Sequence, residues 1–201
     1  SRLLQRSPGA LSNRAITVPQ GISFSPFHTW AHLEKSGTAR VGLDDFLIHM
    51  TGPVQLESGK LAGEWVRKGE LLAILTLNGK QLRILSPVSG EITEENPILR
   101  EDVDQLVLDP YNKGWLYRVR PAQWIAETQT SYLAENATAW ISQELDRFKI
   151  WMAGSAAKSE MAHSGIILQD GGELIDHPLA DLPGEVWQEF QERFLSDHQQ
   201  N

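Results

Sequence analysis

The chain has 201 residues and not one cysteine. That excludes disulfides, thiolate metal sites and a cysteine nucleophile. No apolar run approaches the ~18 residues that a membrane-spanning helix needs. Phosphate-cradling glycine loops, dinucleotide fingerprints and the Gly-x-Ser-x-Gly nucleophile turn are also missing. Positive charge is scarce overall: the net charge is −8, a poor match for a nucleic-acid backbone. No grouping of residues amounts to a catalytic constellation.

What is present is an ordinary globular composition, 41% hydrophobic and 22% charged, long enough for one domain plus an appendage. The charge is unevenly spread: residues 1–20 carry +3, residues 21–126 carry −2 and residues 127–201 carry −9. Three regions follow: a basic N-terminal arm or linker (1–20), a β domain (21–125) and an acidic helical extension (126–201). A basic, acid-free start is the pattern found after a membrane anchor on its cytoplasmic side. One expectation is therefore a cytoplasmic protein tethered at the membrane face by a segment ahead of Ser1. The other is a plain basic arm.

The β domain is organised around a hairpin. Two apolar runs, Leu71 to Leu77 and Leu82 to Leu85, flank Asn78-Gly79. Asn-Gly suits a two-residue type I′ turn, which needs φ > 0 at both central positions. Pairing Leu77 with Lys80 sets Leu75 opposite Leu82 and Ala73 opposite Ile84. Those apolar residues then share one face, with Lys80 at its wet end, and Thr76, Gln81 and Arg83 take the other. Upstream, Phe24 to Leu33 reads as one strand and Ala39 to Leu43 as the next. Asp44 is placed to N-cap a short helix over residues 45–50, ended by Thr51-Gly-Pro53. Short strands at residues 54–56, 91–95 and 115–120 complete a mainly β sandwich or barrel.

Pro121 marks a change of character. No Gly or Pro occurs from Gln123 to Ala153, and Leu133, Ala137, Ile141, Leu145, Phe148 and Met152 recur at helical spacing. One amphipathic helix of more than five turns is predicted. Ile166-Ile-Leu168 reads as a short strand and Asp170-Gly-Gly172 as a turn. A last helix over residues 184–195, with Pro183 at its start, presents Val186, Trp187, Phe190 and Phe194 on one side. Such faces are more often core than partner surface, so the extension is expected to dock on the β domain.

Four stretches of the β domain resemble the glycine cleavage system H protein, a lipoyl-carrier family. They are Phe27-His-Thr-Trp30, Arg40-Val-Gly-Leu-Asp-Asp-Phe46, Ser86-Pro-Val-Ser-Gly-Glu-Ile92 followed by Asn96, and Asp109-Pro-Tyr-Asn-Lys-Gly-Trp-Leu116. Their order and spacing agree with the family over about half the chain. The resemblance implies a barrel-sandwich hybrid of the lipoyl/biotinyl type, giving an α+β fold once the helices are added. It also implies a lipoyl-bearing lysine at the hairpin tip, eight residues before the proline that corresponds to Pro87. That position is Gly79 here. Lys80 stands one residue later, on the other face of a strand whose side chains alternate.

Three functional readings follow. The first is a non-enzymatic scaffold or interaction subunit that has lost the carrier lysine, with protein partners and no cofactor. The second is a lipoyl carrier modified at Lys80, with Asn78 and Gly79 forming the tip that a lipoylating enzyme must recognise. The third is a metal-binding protein or enzyme using His28 and His32, which would share a strand face with Trp30. Zinc needs three or four converging ligands, and only Glu34 lies near in sequence. A hydrogen-bonded structural role for His28 is therefore expected. For Asp44-Asp45, helix capping and first-turn charge account for both carboxylates.

Overall fold

The computed structural model describes residues 16–154 and 175–196. Residues 1–15 of the arm and the predicted strand and turn at 166–172 lie outside them. Among the described residues nine strands form two antiparallel sheets. In the six-stranded sheet the order is β1 (Ser23–Phe24), β2 (Thr29–Leu33), β3 (Ala39–Leu43), β9 (Tyr117–Pro121), β8 (Gly90–Glu95) and β5 (Trp65–Val66). The second sheet runs β4 (Gln55–Gly59), β6 (Leu71–Leu77), β7 (Lys80–Leu85). Inward residues of both sheets, including Val41, Leu43, Leu72, Leu75, Leu82, Ile84, Ile92 and Val119, belong to one buried cluster.

Among the described residues six helices accompany the sheets: α1 (Asp45–Thr51), α2 (Ile98–Glu101), α3 (Gln105–Leu108), α4 (Trp124–Thr128), α5 (Ala134–Gly154) and α6 (Gly184–Phe194). The capping expectation for Asp44 holds: its Oδ1 accepts from the Leu47 amide at 2.9 Å. Gly52, at φ 68°, closes the helix by donating to the Ile48 carbonyl at 2.8 Å. Among the described residues no helix is long and apolar enough to cross a membrane.

The predicted amphipathic helix of more than five turns forms as α5, 21 residues long, but it does not occupy the start of the Gly- and Pro-free stretch. The chain makes the one-turn α4 and then an extended link, in which Tyr132 exchanges two 2.9 Å backbone bonds with Phe24. Only then does α5 begin, at Ala134 with φ 48°. Leu133, counted in the stripe, is instead 47% exposed. Residues 24–33 are likewise not one strand. Ser25 to His28 turn the chain, with Ser25 N–H bonded to the Thr29 carbonyl and His28 at φ 67°.

The extension docks as expected. From α5, Trp140, Ile141, Leu145, Phe148, Trp151 and Met152 are buried, at the three- and four-residue spacing of one face. From α6, Phe190 and Phe194 stack at 5.0 Å and meet Phe148 at 6.0 and 5.7 Å. Phe46 of α1 reaches Phe148 and Phe194, each at 6.3 Å. These rings join the cluster that fills the sheets, so the composition change at residue 125 is not a break in the core. Each fully buried ring contributes about 1.5–3 kcal/mol relative to exposure.

Candidate functional site

The hairpin adopts the predicted register: Leu77 opposite Lys80, Leu75 opposite Leu82, Ala73 opposite Ile84. Asn78 (φ 50°) and Gly79 (φ 78°) are both left-handed, as a type I′ turn requires. Both are exposed, and a Cβ added at Gly79 would meet nothing within 4 Å. The tip position that the resemblance assigns to a lysine therefore has open space and no amine.

Lys80 is half-buried beside the exposed turn, and its amine is engaged. Its Nζ donates to the carbonyls of Ala180 and Leu182, at 2.6 and 2.8 Å. It also lies 4.9 Å from the centre of the Trp187 ring, whose own N–H donates to the Leu179 carbonyl at 2.8 Å. Burial lowers the ammonium's pKa against the opposing charge of Asp181. The local pattern alone gives no hint of this cover, because the covering residues lie a hundred positions downstream and contribute backbone carbonyls. Further along β7, the Gln191 side chain bonds both the N–H and the C=O of Arg83.

The two histidines singled out by spacing are not brought together. His32 is placed to donate from Nδ1 to the Gly21 carbonyl at 3.2 Å. His28 is fully buried, and its place in the turn before β2 aims the ring at α1 and α5. Nδ1 lies 2.6 Å from Asp44 Oδ2, and Nε2 lies 2.7 Å from Glu144 Oε2. Ionised carboxylates only accept, so both ring nitrogens must donate and the ring is an imidazolium. Burial pushes its pKa down, but Asp44 and Glu144 outweigh that and hold it up at about 9. The ring is sandwiched between Phe46 at 4.3 Å and Trp140 at 4.8 Å. Burial works to raise the Glu144 pKa, yet His28 and Arg147 hold it at about 2. The expected structural role for His28 is the one observed, with a partner that proximity in sequence did not supply. The available signal was a lone carboxylate inside an apolar helical stripe, three residues after Ile141 and four before Phe148.

A similar bridge starts from the neighbouring aspartate. His49 lies 2.8 Å from Asp176 and 3.4 Å from Asp45. The bond to Asp176, helped by Asp45, raises its pKa to about 10. Thus Asp44 and Asp45 each face a histidine that reaches a carboxylate of the extension. Both carboxylates also serve the backbone, Asp44 as the cap and Asp45 by accepting from Thr17 N–H at 2.7 Å. Among the described residues no group of three or more His, Asp or Glu side chains is arranged to hold a metal ion.

One resemblance motif is explained by packing. In Arg40-Val-Gly-Leu, a Cβ on Gly42 would lie 2.7 Å from the fully buried Trp30 indole, so only glycine admits that ring.

Comparison with known proteins agrees with this architecture. Residues 22–146 match the family model described as glycine cleavage H-protein, a span that includes Glu144. The glycine cleavage system H protein of Bacteroides fragilis is 31% identical over 107 residues, covering 53% of this chain and 84% of that protein. The protein of that name from Rubrobacter xylanophilus is 35% identical over 103 residues, covering 51% and 81%. A crystal structure of a glycine cleavage system H protein from Mycobacterium marinum superposes with a TM-score of 0.52 at 25% identity, covering 61% of this chain and 97% of that one. With its sheets, its tip hairpin and the greater part of its length matched in this way, the chain belongs to the glycine cleavage H-protein family.

Proposed function

We propose that this protein is a non-enzymatic interaction subunit built on the H-protein fold, in which the carrier chemistry of the hairpin tip has been replaced by an intramolecular latch. The observation that carries this reading is the state of the two tip residues. Gly79, where the family resemblance implies the lipoyl lysine, has no amine. Lys80 has one, but it is committed to two backbone carbonyls and an indole face. Amide formation with lipoate removes the ammonium charge and two of its three N–H donors. It would therefore require the segment around Ala180–Leu182 to leave, and a swinging arm would have to emerge beneath α6. The tip as it stands does not fit a lipoyl group. Its partners are then proteins recognised by surface, rather than enzymes visited in turn by a tethered arm.

The test is intact mass after co-expression with a lipoylating enzyme and lipoate. The expected result is an unmodified chain, for wild type and for Lys80→Ala alike. A gain of one lipoyl group that disappears in Lys80→Ala would restore the carrier reading, with glycine cleavage proteins as partners. Gly79→Lys sharpens the result. It places an amine where the space is open, and a gain of lipoate there alone would locate the lost function at that position.

A further inference from the structure

Residues 176–182, just ahead of α6, link the end of α1 to the hairpin tip, and their polar groups are divided between the two. The last turn of a helix leaves carbonyls with no partner inside it. Two of those in α1 are met from this segment. His177 N–H donates to the His49 carbonyl at 2.8 Å, and Leu179 N–H to the Met50 carbonyl at 3.0 Å. The Asp176 carboxylate adds its ion pair with His49. The His177 ring lies against Gly52, where a Cβ would come within 2.8 Å of it. The segment's carbonyls serve the tip. Leu179 accepts from the Trp187 indole, and Ala180 and Leu182 accept from the Lys80 ammonium. Between these two anchors the segment is stiff. Pro178 fixes φ at the second position of a turn closed by Ala180 N–H on the His177 carbonyl at 3.2 Å. A second turn overlaps it, closed by Leu182 N–H on the Leu179 carbonyl at 3.1 Å. Leu179 and Leu182 are buried, and His177 is held at φ 58°, a left-handed conformation that costs a non-glycine residue energy. Leu179 belongs to both anchors: its N–H holds α1, and its C=O receives Trp187. A movement that takes the carbonyls away from Lys80 therefore pulls the Leu179 N–H from Met50.

We propose that residues 176–182 are an autoinhibitory clasp that opens as one unit, so that loss of the α1 anchor uncovers the Lys80 amine and loss of the Lys80 anchor frees the end of α1. The closed form withholds the amine. The open form returns a free ammonium to the tip, beside Asn78 and Gly79. Two anchors joined by one two-state element are coupled, and such coupling is reciprocal: what weakens either end weakens the other by the same factor. The inference rests on the reading of this segment as a latch on Lys80, but the two fail separately. Lipoylation is read by mass after co-expression, and the coupling by exchange and amine labelling of the purified chain.

The experiment follows amide hydrogen exchange and acetylation by an N-hydroxysuccinimide ester, both resolved by residue, on the full chain. In wild type the His177 and Leu179 amides are expected to share one protection factor, lower than that of the Leu82 amide in the β6–β7 ladder. Asp176→Ala is expected to speed Lys80 acetylation by about fivefold or more. The acetylation rate of Lys68, whose amine is bonded to Glu127 and Thr130, is expected to stay unchanged. Lys80→Met is expected to lower protection at His177 and Leu179 by the same factor, and Lys80→Arg, which keeps the cation, to restore most of it. Protection at His177 and Leu179 equal to that at Leu82 overturns the proposal, because the segment then opens only with the whole chain. Lys80 acetylation at the wild-type rate in Asp176→Ala, an equal rise at Lys68, or full protection of both amides in Lys80→Met overturns it too.

Discussion

Two of the charged points that fasten the extension to the β body form a contrast, one dry and one wet. At His28 an imidazolium is sealed between Asp44 and Glu144, with aromatic rings above and below. At Lys80 an ammonium spans two carbonyls under an indole, at a half-buried position beside an exposed turn. Both are cations bound by several acceptors, but the consequences of losing a partner differ. Water can replace the carbonyls at Lys80. Nothing can replace a carboxylate at His28, because the charge left behind has no access to solvent.

The largest effect is expected from Glu144→Ala. It leaves His28 with one carboxylate, deprives Arg147 of its bidentate partner, and should cost about 3–5 kcal/mol in urea unfolding. A loss below about 1 kcal/mol would mean the buried bridge carries no more than a surface pair.

Proton linkage is the next test. Folding raises the His28 pKa from 6.5 to about 9, so its contribution is complete below pH 6.5 and is lost as pH rises through 9. His49, raised to about 10, acts in the same direction. Glu144, depressed to about 2, contributes above pH 4.5 and loses its contribution as pH falls through 2. Stability should therefore peak between pH 4.5 and 6.5 and decline by about 1–3 kcal/mol toward pH 9. The decline should be shallower in His28→Gln, and a flat wild-type profile from pH 6.5 to 9 would contradict the imidazolium assignment.

A smaller loss, about 1–2 kcal/mol, is expected for Lys80→Ala under the same denaturation protocol. If it equals the Glu144→Ala loss, the contrast between dry and wet fastening is wrong. The smallest effect is assigned to Gly79→Ala. The side chain enters open space, but φ 78° costs about 1 kcal/mol. A neutral or stabilising result would mean the turn relaxes away from type I′.

Local signals carried the hairpin, the strands β3, β8 and β9, and the helices α1, α5 and α6. Asn78-Gly79 and strict alternation specified the register because a one-residue slip would expose Leu75, Leu82 and Ile84. Asp44 was legible as a cap since capping is a contact over three residues. The helices α2 and α3, four residues each, are too short to display a period. The docking of the extension could be inferred from its apolar face, but not the chemistry of the joint. His28 meets Glu144 across 116 positions, and Lys80 meets carbonyls that every residue possesses. The resemblance places the candidate site at the tip, while the groups that engage Lys80 there had no local signature.

The closing contacts also bear on how the chain reaches its native state. Arg83 waits 108 positions for Gln191, Lys80 waits 102 for Leu182, and His28 waits 116 for Glu144. During synthesis the β7 edge is made long before its cover exists. Until the last helix emerges, a nascent chain exposes Arg83's backbone groups and the apolar underside of α1. Such long-range closure slows folding and leaves strand edges open to other chains. The residues of α6 and the segment before it therefore serve as a completion step: the tip hairpin is covered only once they have been made.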